Sequence, residues 1–283
     1  MTLGKTIQIF LPDGNPRGIK IAEITSRTIQ AILIPRSKLE FMLSRMELKN
    51  VGVYILIGIS EEDDISKIYI GEAEDCGYRL RQHNANKEFW NYAIVIISKT
   101  QYFTKTHVKF LESFMFKEAN RIKRYKLENS SKPNEPYISE PMQADLEDNY
   151  ETAKILISTL GFPIFDEIKS SQKKEWLYCS SKEADAKGQY TAEGFLVVKG
   201  SKCNLIESRT AGSWIINMRK RLVNAGILKQ EENYYVFRKD YLFGSPSAAA
   251  GAVLARRANG WLEWKYGSGK NLDEVKRKTN KST

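Results

Sequence analysis

Cysteine and histidine are scarce in this chain of 283 residues, which has three cysteines (Cys76, Cys179, Cys203) and two histidines (His83, His107). The cysteines are odd in number, far apart and never in a CxxC pair, which excludes a disulfide framework and a cysteine-based zinc site. Two histidines are too few for a histidine-rich metal centre. Any metal must therefore rest on a carboxylate and bound water, as Mg²⁺ accepts. The chain also lacks an apolar run of roughly eighteen residues, and residues 1–10 contain no basic stretch leading into an apolar one. The expectation is a cytoplasmic protein with reduced thiols and no membrane span.

Positive charge is in excess. With 44 Lys and Arg against 34 Asp and Glu, the net charge is +10, and such a field gathers polyanions, so nucleic acid is the expected partner. The length suits two domains and a small appendage.

Along the chain, residues 5–10 and 18–24 are β-rich and flank a Pro-Asp-Gly-Asn-Pro turn, residues 28–34 add a third strand, and Ser37 is placed to cap a short helix. Residues 1–48 thus read as a β-rich appendage. Residues 51–59 and 67–71 form a second hairpin around an acidic loop at 60–66. A helix around 79–83, a strand at 92–97 and a long helix at 106–125 follow. In the long helix Val108, Leu111, Met115, Ala119 and Ile122 keep steps of three and four, one apolar stripe. Three prolines interrupt residues 129–141, a further helix spans 146–160, and polar residues 166–175 read as a linker.

The second domain, 176–266, offers strands at 176–179 and 194–198, a basic helix at 214–224, a hairpin at 227–238 and a helix opened by Ser245-Pro246 and stopped at Asn259-Gly260. Residues 267–283 are polar and basic enough for a mobile tail. Met218-Arg219-Lys220-Arg221 followed by that hairpin has the order of a helix and wing, making Arg219, Lys220 and Arg221 candidate nucleic-acid contacts; a solvated basic helix face is an equal alternative.

The stretch that carries chemistry runs from Gly52-Val53-Tyr54 through Tyr69-Ile70-Gly71, Arg79 and His83 to Glu112. Each residue alone has an ordinary reading, as a strand tyrosine, a surface ion-pair member or an exposed histidine. Their order is what distinguishes them. Together, across residues 49–129, they resemble the GIY-YIG nuclease family.

The resemblance implies an α+β catalytic domain at 49–165, a small antiparallel or mixed sheet with flanking helices, joined to a second small α+β domain. It implies Tyr54 and Tyr69 as the paired tyrosines, Arg79 ten positions after the second, His83 one helical turn further, and Glu112 as the ligand of Mg²⁺ or Mn²⁺. The family's late asparagine falls on Asn129 or Asn134, with Asn129 favoured. A C-terminal segment with Gly244-Ser245-Pro246 and Asn259-Gly260-Trp261 resembles an uncharacterised domain fused behind such nucleases.

The implied activity is metal-dependent endonucleolytic cleavage, of DNA in preference to RNA, in restriction, repair or phage defence. A tyrosine of pKa ~10 is a poor base until a cation such as Arg79 stabilises its phenolate. The rival readings are a non-catalytic nucleic-acid-binding protein, an RNA nuclease, and an enzyme active only inside a homodimer or larger assembly formed through the C-terminal domain.

Overall fold

The β-branched runs of the first half become strands of one sheet. The computed structural model describes residues 4–59, 66–167 and 175–278, and the chain divides into two compact units, Met1–Glu167 and Ile168–Thr283. Both are mixtures of sheet and helix, as the α+β expectation requires.

In the first unit the strands are β1 (Ile7–Phe10), β2 (Lys20–Ile24) and β3 (Ile29–Pro35), then, after the short helix α1 (Leu39–Leu43), β4 (Gly52–Gly58) and β5 (Lys67–Ala73). Helix α2 (Cys76–Asn86), strand β6 (Tyr92–Ser98), helix α3 (Lys105–Ile122), strand β7 (Lys126–Leu127) and helix α4 (Glu140–Thr159) complete it. The sheet order is β1-β2-β3-β6-β4-β5-β7. All neighbours are antiparallel except β5 and β7.

Residues 1–48 are thus no separate appendage but part of the same sheet: β3 pairs along its whole length with β6, from Ile29 with Ser98 to Pro35 with Tyr92. Ser37 lies inside a 3₁₀ turn, Arg36–Lys38, and no side chain caps α1. Most of the acidic loop expected at 60–66 and most of the linker at 166–175 fall outside the described residues.

Because successive strand residues face opposite ways, β4 buries two cores at once. Val53, Ile55 and Ile57, with Ile68 and Ile70 of β5, meet Val108, Leu111 and Met115 of α3 and Leu146, Ala153 and Leu156 of α4. Tyr54 and Leu56 point the other way, into a second core with Leu39, Met42, Cys76 and Leu80. The apolar stripe expected in α3 is the face that packs on the sheet.

The second unit builds a sheet of eight strands from β8 (Leu177–Ser181), β9 (Ala184–Thr191), β10 (Gly194–Val197), β11 (Lys202–Asn204), β12 (Leu228–Gln230), β13 (Tyr234–Phe237), β14 (Tyr241–Phe243) and β15 (Lys265–Tyr266). Helix α5 (Ser213–Asn224) lies between β11 and β12 in the chain, and α6 (Pro246–Leu254) and α7 (Gly260–Glu263) precede β15. Ser245 caps α6, its hydroxyl accepting from the amide of Ala248. Asn259 caps α7 rather than simply ending α6, accepting from the amide of Trp261. The ring of Trp264 is fully buried 4.3 Å from that of Phe195, and its Nε1 donates to the Pro246 carbonyl. Residues 267–278, read from sequence as part of a mobile tail, turn back on this domain: Leu272 is buried and its amide bonds to the Trp264 carbonyl. Among the described residues no helix is long and apolar enough to cross a membrane.

Candidate active site

Two adjacent strands set the tyrosines. In the antiparallel register of β4 and β5, Tyr54 pairs with Gly71 and Leu56 with Tyr69, so both tyrosines emerge on the face covered by α2. Their rings stack with centroids 6.2 Å apart and planes 24° from parallel. Gly71 makes this possible. A methyl group there would stand 2.3 Å from the Tyr54 hydroxyl oxygen and 2.4 Å from Cζ, so only glycine leaves room for the phenol.

Helix α2 supplies the next two groups. Asp75 caps it through the Tyr78 amide, and one turn separates Arg79 from His83, which puts both over the tyrosines. The Tyr54 hydroxyl lies 2.8 Å from Nε2 of His83, and Nε of Arg79 donates to that hydroxyl at 3.4 Å. With the imidazole proton on Nδ1, Nε2 accepts from the Tyr54 hydroxyl. The His83 ring lies 5.3 Å from both tyrosine rings. Arg79 remains exposed, with a further bond from Nη1 to Gln82.

Burial dominates the electrostatics. Tyr54 is 1 % exposed, and desolvation, reinforced by Tyr69, pushes its phenol well above the ordinary tyrosine range against the pull of Arg79. Desolvation, then the cations Arg79 and Lys87, brings His83 down to about 4, so it is neutral at neutral pH.

Glu112 reaches the site from α3, on the opposite face of the sheet, close enough that its charge acts on Tyr54 and Arg79. Burial and then the neighbouring Glu72 raise its carboxyl to about 7, while Lys105, Lys109 and Arg79 oppose the rise. Glu72 is held by Lys105 at 3.1 Å.

Asn129 is engaged with the backbone of β5. Its side chain accepts from the Ile70 amide at 3.1 Å and donates to the Ile70 carbonyl at 2.8 Å, which fixes the strand next to Tyr69. The Asn129 amide thereby clamps β5 one residue from Tyr69. Asn134, the other candidate, is exposed.

Sequence reasoning passed over Glu72, immediately after Gly71, and Lys87, whose Nζ lies 4.5 Å over the Tyr69 ring. A helical count from Arg79 through His83 reaches Lys87 directly. His107 is buried and completes a capping box with Thr104 at the start of α3.

In the second unit the three basic candidates separate. Arg219 is 2 % exposed. Its guanidinium donates to the carbonyls of Ala252, Asn204 and Leu205 and to Glu207 at 3.1 Å, which leaves nothing for a phosphate. Lys220 and Arg221 are exposed.

In comparison with known protein families, residues 177–276 match a family described as a domain of unknown function, DUF4357. The C-terminal domain is therefore similar to an uncharacterised domain, as its sequence suggested. No curated protein and no solved structure matches the chain.

Proposed function

We propose that the first unit is a metal-dependent nuclease of the GIY-YIG type, hydrolysing phosphodiester bonds of nucleic acid, DNA in preference. The observation that carries this reading is the Tyr54 hydroxyl held between the Nε2 of His83 and the guanidinium of Arg79. A merely structural strand tyrosine needs one partner and no exposed cation. The mixed sheet with helices on both faces also supports the reading.

Hydrolysis needs a water stripped of a proton in line with the bond, and positive charge where the phosphoryl oxygens accumulate negative charge. Tyr54 takes the proton from water as it passes its own to Nε2 of His83, whose neutral state makes it an acceptor. The exposed guanidinium of Arg79 faces the phosphate and offsets the charge that develops there. Tyr69, steadied by Lys87 across its ring, walls the Tyr54 hydroxyl.

Glu112 suits a divalent cation: its half-buried carboxylate, crowded by Glu72, is a charge that a cation would stabilise. Among the described residues there is no group of three His, Cys, Asp or Glu side chains, so water and phosphate oxygens would complete the shell, as Mg²⁺ or Mn²⁺ allows. Held there by Glu112, such an ion would supply charge neutralisation at the departing 3′ oxygen.

The test is incubation of the protein with supercoiled plasmid, single-stranded DNA and RNA, with Mg²⁺ or EDTA, beside Arg79→Ala and Glu112→Ala. Metal-dependent cutting that both substitutions abolish supports the reading and identifies the substrate. Wild type and variants equally inert on all three would defeat it for the isolated chain and favour a partner-activated or non-catalytic binding protein.

A further inference from the structure

The charge of the chain is not spread over it. Residues 1–167 carry 22 Lys and Arg against 23 Asp and Glu, a net of −1, whereas residues 168–283 carry 22 against 11, a net of +11. Beside the candidate active site Lys105 is matched by carboxylates, Glu72 at 3.1 Å and Glu74 at 3.5 Å. That unit offers a polyanion little general attraction.

We infer that the outer face of α5 in the second unit is the chain's principal nucleic-acid docking surface, binding strand phosphates through cations and an unpaired base through Trp214. This rests on the reading of the substrate as nucleic acid, and deepens it by separating where the strand is held from where it is cut.

Helix α5 contains no acidic residue. Its inner face, Ile215, Met218, Arg219 and Leu222, is buried, and the steps of three and four through Trp214, Asn217 and Arg221, with Lys220 alongside, place polar and cationic groups outward. Trp214 is 47 % exposed, an unusual cost for an indole with no partner to cover it. Arg209 is exposed just before the helix, and Arg257 extends beside Trp214 at Gly212, its Nη2 within 3.9 Å of where a Gly212 Cβ would stand. An exposed indole beside Arg257, with Lys220 and Arg221 further along the same helix and Arg209 just before it, suits a base stacked among phosphate contacts. The hairpin of β12 and β13 is no basic wing. Its tip carries Glu231 and Glu232, and Glu231 pairs with Lys229 at 3.5 Å, which confines the surface to the helix.

The full chain is titrated in EDTA, so that nothing is cut, against labelled single-stranded and duplex DNA of equal length over a range of salt. Arg209→Glu/Lys220→Glu/Arg257→Glu is expected to weaken binding at least about ten-fold and to flatten the salt slope by roughly two to three units. Arg17→Glu/Lys123→Glu/Lys132→Glu, the same charge change on exposed residues of the first unit, is expected to leave affinity near that of wild type. Trp214→Ala should cost the single strand about ten-fold and the duplex little.

Equal losses in the two charge variants, an unchanged α5 variant, or binding to phosphatidylserine vesicles in place of DNA would each overturn the inference. Absent cutting alongside α5-dependent binding would remove the nuclease reading alone, and cutting alongside α5-independent binding would remove this inference alone.

Discussion

The Tyr54 hydroxyl and the Nε2 of His83 are 2.8 Å apart in a place where burial denies each its charged form. The phenol is held protonated and the imidazole unprotonated, so the pair rests as a neutral hydrogen bond until substrate brings charge to it. Removing the acceptor while keeping a polar side chain should therefore separate chemistry from folding. His83→Gln is expected to lower the cleavage rate by about a hundred-fold with substrate binding retained, measured in single turnover; an undiminished rate would remove the proton relay.

The same histidine sets a pH dependence of stability. Its value in the fold, about 4, lies below the ~6.5 of an unfolded chain, so its contribution is complete above ~6.5 and is lost as pH falls towards 4. Melting temperatures of wild type should fall more steeply across that interval than those of His83→Gln. Parallel curves would show that the imidazole is not held neutral.

Glu112 acts with the opposite sign. Its carboxyl at about 7 in the fold stands above the 4.5 of a free glutamate, so it favours the fold fully below 4.5, and that support is lost as pH rises through 7. Glu112→Gln should raise the melting temperature at pH values above ~7 and not below ~4.5. Mg²⁺ should raise the melting temperature of wild type but not of the variant. A gain independent of pH would mean that the glutamine merely packs better.

Gly71→Ala drives a methyl into the Tyr54 phenol. The expected cost is about 1–3 kcal/mol from overpacking, with activity falling further because the hydroxyl leaves His83 and Arg79. In a Tyr54→Ala background the same glycine-to-alanine change should cost little further stability, whereas an equal cost in both backgrounds would place the clash elsewhere.

Asn129→Asp keeps the acceptor for the Ile70 amide and sets a carboxylate against the Ile70 carbonyl. A loss of roughly 1–3 kcal/mol is expected, together with a lower cleavage rate through a displaced Tyr69. Stability and rate both at wild-type levels would show that the clamp on β5 is dispensable.

Arg219→Ala leaves three carbonyls without a donor and should destabilise the second unit by about 3–5 kcal/mol, while the folded fraction binds nucleic acid as before. A selective loss of binding in a stable protein would return Arg219 to the set of phosphate contacts.

The elements built on β-branched and helical periodicity were legible: β4, β6, α3 and α5 lie within a few residues of where spacing puts them. One strand that spacing missed, β9, has small residues for a reason. In β9 Ala184, Ala186 and Gly188 alternate inward, and a methyl at Gly188 would stand 2.5 Å from the Phe195 ring. A strand pressed this closely cannot display the bulky side chains by which strands are recognised. Likewise, nothing local in residues 1–48 announces that β3 will pair with β6, since pairing across some sixty positions is settled by the core and not by propensity. At the site, order along the chain named the tyrosines, Arg79, His83 and Glu112. It could not separate Arg219 from Lys220, because one step around a helix decides between the interior and solvent.

The packing of Tyr54 against Gly71 makes the two halves of the motif one steric object. A ring at position 54 requires emptiness at 71, and emptiness at 71 serves little purpose once the ring is gone. Relatives that abandon catalysis should therefore drift at both positions together, with glycine free to acquire a side chain after the tyrosine shrinks. The pair can be read in any aligned descendant as a record of whether its ancestors still needed that hydroxyl.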